Sequence, residues 1–457
     1  MTRLRRHPRS VLGSRLGSPS QSIGLEQARN ARRCLARSGV AWCRGLTTLL
    51  LVFVPSVGLS WRDAFTSGAR GWAGSLVSTA LAAEPTPAQP RADAGRLPIV
   101  SPSDAGFDAE TLASMEPLIA AAIAERKLPG AVVCLGRRGR IGWLKAYGDK
   151  QLVPERQPMT VDTVFDLASL TKPIATATAV MKLVEMGRVR LDEPVAKYLP
   201  EFSPHGKDAL TLEDLLVHHS GLIADNPLSD YGDGREMAWR RICELKPLSP
   251  PRTKFIYSDV NFIVLGELAS RVSGEPLERF VRERLFMPLG MSETGYLPGP
   301  ELRARAAPTQ QRDGRWMRGE VHDPRAWKLG GVAGHAGLFS TAADLALYAQ
   351  AMLNGGQLGD TRVLAADTVE RMTRGYAVST GLRGLGWDKR TGYSINRGER
   401  LSDAAFGHGG FTGTVIWIDP KLELFFIFLS NRVHPDGKGL VNPLAGKIAT
   451  IAATAAR

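Results

Sequence analysis

The chain has 457 residues, of which 44% are hydrophobic, 7% aromatic and 23% charged, a balance that excludes a disordered or fibrous protein. Its formal charge of +13 is misleading, because residues 1–96 hold 14 Arg, no Lys and 4 acidic residues. The other 361 residues carry 44 basic and 41 acidic side chains, which excludes a polybasic nucleic-acid-binding domain.

In chain order, Arg3, Arg5, Arg6, Arg9 and an Arg-rich stretch over 29–44 precede an apolar run over 46–59 that is interrupted by Pro55. The run is short for a membrane span and has the layout of a secretory signal core. Export to the periplasm or the exterior is expected, with anchoring through 46–60 if the segment is not cleaved. Ser56-Val57-Gly58 lies at the usual cleavage distance, whereas Ala80-Leu81-Ala82 has the better residue types. The unusual length of the basic region leaves open a start codon downstream of Met1. Residues 84–95, rich in Pro and Ala, read as a flexible linker. Residues 1–96 are therefore expected to be targeting segment and linker, and 97–457 the folded domain. Cys34 and Cys43 precede the apolar run, while Cys134 and Cys243 stand alone in apolar surroundings, without metal-ligand spacing or a disulfide framework.

The spacing of Leu112, Met115, Ile119, Ala122 and Ile123 predicts a helix over 110–126. Apolar runs over 130–136 and 141–147, joined by Arg137-Arg138-Gly139-Arg140, predict a hairpin. Ser169-Leu170-Thr171-Lys172 follows, just ahead of an alanine-rich helical run over 173–186. Residues three apart share a helix face, so Lys172 can lie against the Ser169 hydroxyl and take its proton in a dry site. A plain surface Ser and Lys at a helix start is the bland alternative. Tyr257-Ser258-Asp259 opens a helical pattern over 261–272, after the Pro-rich 247–251. Near the end, Gly407-His408-Gly409-Gly410-Phe411 runs into apolar strands over 414–418 and 422–429, which flank Asp419-Pro420-Lys421. A helix over 440–456 closes the chain. The order of elements implies an α+β protein, with an antiparallel sheet covered by terminal helices and a mainly helical lobe over 169–290. A cleft between the lobes would gather all three motifs.

The order Ser169-x-x-Lys172, then Tyr257-x-Asp259, then His408-Gly409-Gly410 resembles the penicillin-recognising serine hydrolases. It is most similar to the branch containing class C β-lactamases, D-alanyl-D-alanine carboxypeptidases and esterases. Further segments resemble that branch in order: Leu191-Asp192-Glu193-Pro194-Val195, Leu215-Leu216-Val217-His218-His219-Ser220-Gly221-Leu222 and Gly334-His335-Ala336-Gly337. The resemblance implies the β-lactamase/transpeptidase-like fold, no cofactor, and a small-molecule or peptidoglycan-derived substrate. It implies an acyl-enzyme on Ser169, with Lys172 shuttling the proton and Tyr257 as base or relay. Tyr257 then needs nearby cations, which Lys172 and His408 are expected to supply. It also implies oxyanion donors at the backbone N–H groups of Ser169 and Phe411, with Gly410 allowing close approach.

Two positions depart from the pattern. Asp259 replaces the usual Asn and is expected to pair with Lys172, holding it charged, instead of donating to a substrate carbonyl. Asn261 has the wrong spacing to stand in for it. Gly409 lacks the hydroxyl of the usual Lys-Thr-Gly. Both changes favour peptidase or esterase chemistry over β-lactam hydrolysis, and they motivate a second reading, a penicillin-binding or sensor protein without turnover. Arg390-Thr391-Gly392 is a rival for the third motif, but the polar sequence after it makes a poor central strand. His218-His219 would point apart and are not expected to hold a metal. His322, Asp323 and His335 are expected to shape loops near the cleft. No Gly-x-Ser-x-Gly elbow and no phosphate-cradling Lys-Ser or Lys-Thr loop occurs.

Overall fold

The fold is organised by a sheet whose central strands come from opposite ends of the chain. The computed structural model describes residues 96–457. The expected signal core, anchor, linker, cleavage points, Cys34 and Cys43 lie outside the described residues. In spatial order the sheet runs Tyr376–Val378, Gly381–Arg383, Asp388–Arg390, Phe406–Gly409, Val415–Asp419, Leu424–Ser430, Gly130–Arg137, Arg140–Gln151 and Gln157–Pro158. Every neighbouring pair is antiparallel.

The two faces of the sheet bury alternate residues. Ala131, Val133, Leu135, Val415, Trp417, Phe426 and Phe428 face one core, which is closed by helices Ala109–Ala113, Met115–Ala124 and Asn442–Ala455. Val132, Cys134, Ile416, Ile418, Phe425, Ile427 and Leu429 face a second core that continues into the helical lobe. Both faces are covered, so the central strands read as continuous apolar runs and not as an alternation. Cys134 and Cys243 are buried and unpaired, as small hydrophobes.

The predicted hairpin forms, with Arg138 and Gly139 both at positive φ in its turn. The helix expected over 110–126 is instead two helices that break at Ser114, whose hydroxyl donates to the Thr111 carbonyl at 2.6 Å. Such local hydroxyl bonds compete with the helical ladder. Helix Ala342–Leu353, which covers the second face, was not anticipated. Its signal is Thr341 as N-cap, accepting from the Asp344 amide ahead of an apolar run. Among the described residues no helix is long and apolar enough to cross a membrane.

The helical lobe contains Thr178–Glu185, Leu212–Leu216 and Asp259–Ser273, the last capped by the Ser258 hydroxyl and ended by Gly274 at φ +78°. The alanine-rich run is not a plain α-helix. Ala168–Leu170 forms a tight 3₁₀ turn, Lys172–Ala177 a wide π-type segment, and only Thr178–Glu185 is regular. π-type insertions of this kind occur mostly where function demands them.

Candidate active site

The segment carrying Ser169 is held from three directions. Short strand Phe165–Asp166 pairs with Leu338–Ser340. The Leu167 amide donates to the Leu338 carbonyl at 2.9 Å, and the Leu338 amide donates to Thr171 Oγ1 at 3.1 Å. Ala168 sits at φ +46°, a left-handed conformation that is strained for a residue with a β-carbon. Its amide is engaged by Asp166 Oδ1 at 2.8 Å.

Lys172 is fully buried, and its ammonium donates to Ser169 Oγ at 2.9 Å and to the His335 carbonyl at 3.2 Å. A third partner is Asp259, with Oδ1 2.7 Å from Nζ. Burial by itself lowers the Lys172 pKa, but the charge of Asp259 and the nearness of Tyr257 outweigh it and raise the pKa. The expected Lys172–Asp259 pairing is therefore present. Asn261 is buried away from Ser169, bonding the Ser220 hydroxyl and the Leu215 carbonyl as a brace.

Tyr257 lies in the same cleft, with Lys172 Nζ 5.0 Å from its ring centre. Its ring packs between His218 at 4.5 Å, Tyr393 at 5.0 Å and His408 at 5.9 Å. The cleft encloses about 290 Å³ and is lined by Ser169, Tyr257, His408, Gly410, Phe411 and Arg383, among others. Ser169, Lys172, Tyr257, Asp259, His408, Gly410 and Phe411 are thus brought together from segments far apart in sequence. The rival motif is not: Arg390 pairs with exposed Asp403, and Thr391 donates to Asp388.

One expectation fails. His408 was to supply positive charge beside Tyr257, but burial pushes its pKa well below the ordinary value, and Arg383 and Lys172 add to the shift. Its Nδ1 bonds the Gly409 carbonyl at 2.8 Å and so carries the proton, leaving Nε2 as an acceptor with no partner. His408 is a neutral acceptor, and the positive charge beside Tyr257 belongs to Lys172.

The glycines of the third motif have steric causes. A β-carbon on Gly410 would collide with Thr414 Oγ1 and lie 2.5 Å from the Leu167 carbonyl. A β-carbon on Gly409 would lie 2.5 Å from Asn396 Nδ2, so the Asn396 amide occupies the place of a side chain there.

Arg383 and Asn396 line the cleft without having been expected there, and His218, expected only not to hold a metal, backs it. His218 is buried, accepts the Ser258 amide on Nδ1 at 3.0 Å, and backs the Tyr257 ring. Arg383 is fully buried and lines the cleft, yet Nε, Nη1 and Nη2 have no hydrogen-bond partner. Its nearest anion is Asp388, 3.2 Å from Nη1, and that carboxylate already accepts from Thr391 and Ser394. No local motif surrounds Arg383 or Asn396, so only the fold reveals them.

Asp259, Asp323 and His335 bring possible metal-ligand atoms within 4.8 Å of one another. The Lys172 ammonium beside Asp259 already supplies a cation to that cluster, and Asp323 Oδ1 is bonded to His335 Nε2 at 2.9 Å. His322, Asp323 and His335 do shape loops beside the cleft: the His322 ring stacks on Phe411 at 5.5 Å, and the His335 carbonyl holds Lys172.

A family model described as Beta-lactamase matches residues 115–450. A protein of Escherichia coli O157:H7 named "Putative D-alanyl-D-alanine carboxypeptidase" is 34% identical over 387 residues, covering 75% of this chain and 87% of that one. Among solved structures, a novel penicillin-binding protein homologue from Caulobacter crescentus superposes with a TM-score of 0.61 at 20% identity, over 77% of this chain and 99% of that one. EstCE1, a hydrolase with promiscuous acyltransferase activity, gives a TM-score of 0.61 at 22% identity, over 75% and 99%. At these identities the structural likenesses show the fold alone.

Proposed function

The chain belongs to the β-lactamase family of serine hydrolases, and on that premise we propose that it is an exported acyl-transferring hydrolase which cleaves an amide next to a free carboxylate. Peptides ending in D-alanyl-D-alanine have that chemistry. The observation that carries this reading is Arg383: a buried guanidinium at the cleft wall whose one ion pair, Asp388 at 3.2 Å from Nη1, leaves Nε and Nη2 without a partner can take a second anion from the cleft. The E. coli relative's name agrees with that choice. Export rests on the Arg-rich segment and apolar run over 3–59.

In this reading Tyr257 acts as its phenolate, stabilised by the Lys172 ammonium beside it, and takes the Ser169 Oγ proton to become a neutral phenol as Oγ attacks the carbonyl carbon. Lys172 remains an ammonium because of Asp259, so it stabilises the forming alkoxide instead of accepting the proton. The amides of Ser169 and Phe411 take the developing oxyanion. The leaving amine collects the proton, and water later releases the acyl group from Ser169. Asp259 offers no donor to a β-lactam side chain, so nitrocefin should turn over poorly while p-nitrophenyl butyrate is cleaved measurably.

The test compares a D-Ala-D-Ala peptide, its C-terminal amide, nitrocefin and the ester, with wild type and Arg383→Gln. Arg383→Gln should raise KM for the free-acid peptide about tenfold to a hundredfold, the size of a lost charged hydrogen bond. It should leave the amide and the ester nearly unchanged. Equal use of acid and amide by the wild type would overturn the carboxylate reading. A fluorophosphonate should label Ser169, and Ser169→Ala should lose about three orders of magnitude or more in kcat. Stoichiometric acylation without release would instead favour the sensor reading that Asp259 motivates.

A further inference from the structure

Resting on Ser169 as nucleophile, the structure points to a second role in the same site. We propose that Asp166 is a positioning residue that locks the two halves of the oxyanion hole together. Its carboxylate is buried and bidentate in function: Oδ1 accepts the Ala168 amide at 2.8 Å, and Oδ2 accepts the His322 amide at 2.7 Å. The first bond fixes the left-handed turn at Ala168, immediately before the Ser169 amide, one of the two expected oxyanion donors. The second fixes the loop whose His322 ring lies on Phe411, the residue of the other expected donor. The backbone of the same segment is tied to the far strand end as well. Thr412 Oγ1 donates to the Asp166 carbonyl at 2.7 Å, and Thr414 Oγ1 donates to the Leu167 carbonyl at 3.0 Å. Hydrogen bonds from one carboxylate thus span the gap across which the two donors must converge on a single oxygen.

The carboxylate serves both amides best while ionised, because protonation removes the charge that strengthens both bonds and leaves the hydroxyl oxygen a weaker acceptor. Burial pushes the Asp166 pKa up to about 6, against the pull of its two amides. The other ionisable groups facing it are Asp323, which opposes its charge, and Arg312, which favours it; His322 is held neutral by burial, at about 4. The clamp therefore releases within a mildly acidic range. Because the folded pKa lies above the ordinary value, protonating Asp166 itself favours the folded state as pH falls from about 6 toward 3.8. Loss of rate and loss of fold are separable.

The experiment measures kcat and KM for p-nitrophenyl butyrate, the rate of fluorophosphonate labelling, and tryptophan fluorescence from pH 4.5 to 8. Wild type should lose kcat reversibly below about 6 with fluorescence unchanged. Asp166→Asn presents an amide N–H to one backbone N–H, and should lower kcat about tenfold to a hundredfold at pH 7.5 with KM nearly unchanged, somewhat less than deleting an oxyanion donor outright. It should also abolish the acid limb. Arg312→Gln leaves the carboxylate intact and should move the limb to higher pH, which keeps the test decisive if Asp166→Asn does not fold. Wild-type kcat in Asp166→Asn, or an acid limb indifferent to both substitutions, would falsify the proposal. A wild type that the fluorophosphonate never labels would instead sink the assignment of Ser169.

Discussion

At the scale of single residues, the pair Lys172–Asp259 decides which chemistry is accessible. With Asp259 2.7 Å away, the ammonium is held charged even though the side chain is fully buried. Asp259→Asn removes that counter-charge and keeps the shape. The Lys172 pKa should fall, a new limb should enter the pH–rate profile at neutral to alkaline pH, and nitrocefin turnover should rise relative to ester cleavage. Stability should drop by up to about 3 kcal/mol in urea titrations, the cost of stripping a buried charge of its partner. An unchanged profile would mean that Asp259 does not control Lys172. Ser169 and Lys172 were legible from their spacing across one turn, and Tyr257 and Asp259 from the order of motifs along the chain, although Tyr257 stands in the extended segment before the helix. His408 was legible in position but not in charge, since burial is a property of the assembled cleft. Arg383, Asn396 and Asp166 depend on packing between distant segments, which no local pattern carries.

At the scale of elements, the helix Asp259–Ser273 and the loop containing His335 meet glycine to glycine. A β-carbon on Gly266 would lie 2.8 Å from Gly334 Cα, so the backbones are at closest approach there. The Gly334 carbonyl accepts from Thr176 Oγ1 at 2.6 Å, and the next carbonyl, His335, holds Lys172. Gly266→Ala must push that loop outward. It should cost about 1–3 kcal/mol, as overpacking does, and should lower kcat more than the stability loss explains, because the loop carries a Lys172 partner. Urea titration alongside kcat at saturating ester checks both halves. The same scale explains the elements that misled sequence reading. The helix over 110–126 breaks at Ser114, whose hydroxyl finds a carbonyl in the preceding turn. The helix Ala342–Leu353 hides its role because both faces of the central strands are buried, which erases the alternation that would have announced a covering layer.

At the scale of the whole molecule, burial sets the response to acid. His218 and His408 are held neutral well below their ordinary pKa, and His322 is held at about 4. Below the usual imidazole value the unfolded chain takes up protons that the fold refuses, so their contribution is full above about 6.5 and is lost as pH falls. Asp166 and Asp344, each pushed up to about 6, work in the opposite direction between about 6 and 3.8. The imidazoles outnumber them, so the fold should be less stable at pH 5 than at pH 7.5, on the order of 1 kcal/mol per pH unit. Urea midpoints at the two values measure this, and a higher midpoint at pH 5 would contradict it.

The middle of the sheet joins Gly130–Arg137 to Leu424–Ser430, and the Ser430 hydroxyl bonds the Gly130 carbonyl 300 residues away. A growing polypeptide cannot make that junction until about 300 further residues have been added, a wait on the order of 15–60 s at ordinary elongation speeds. Until then both hydrophobic cores stay open along one side, and a product cut short before residue 424 lacks the middle of its sheet. Under the export proposed above, late closure is an asset: a translocation channel admits only extended chain, and the two central strands stay unpaired with each other until residue 430 has been made.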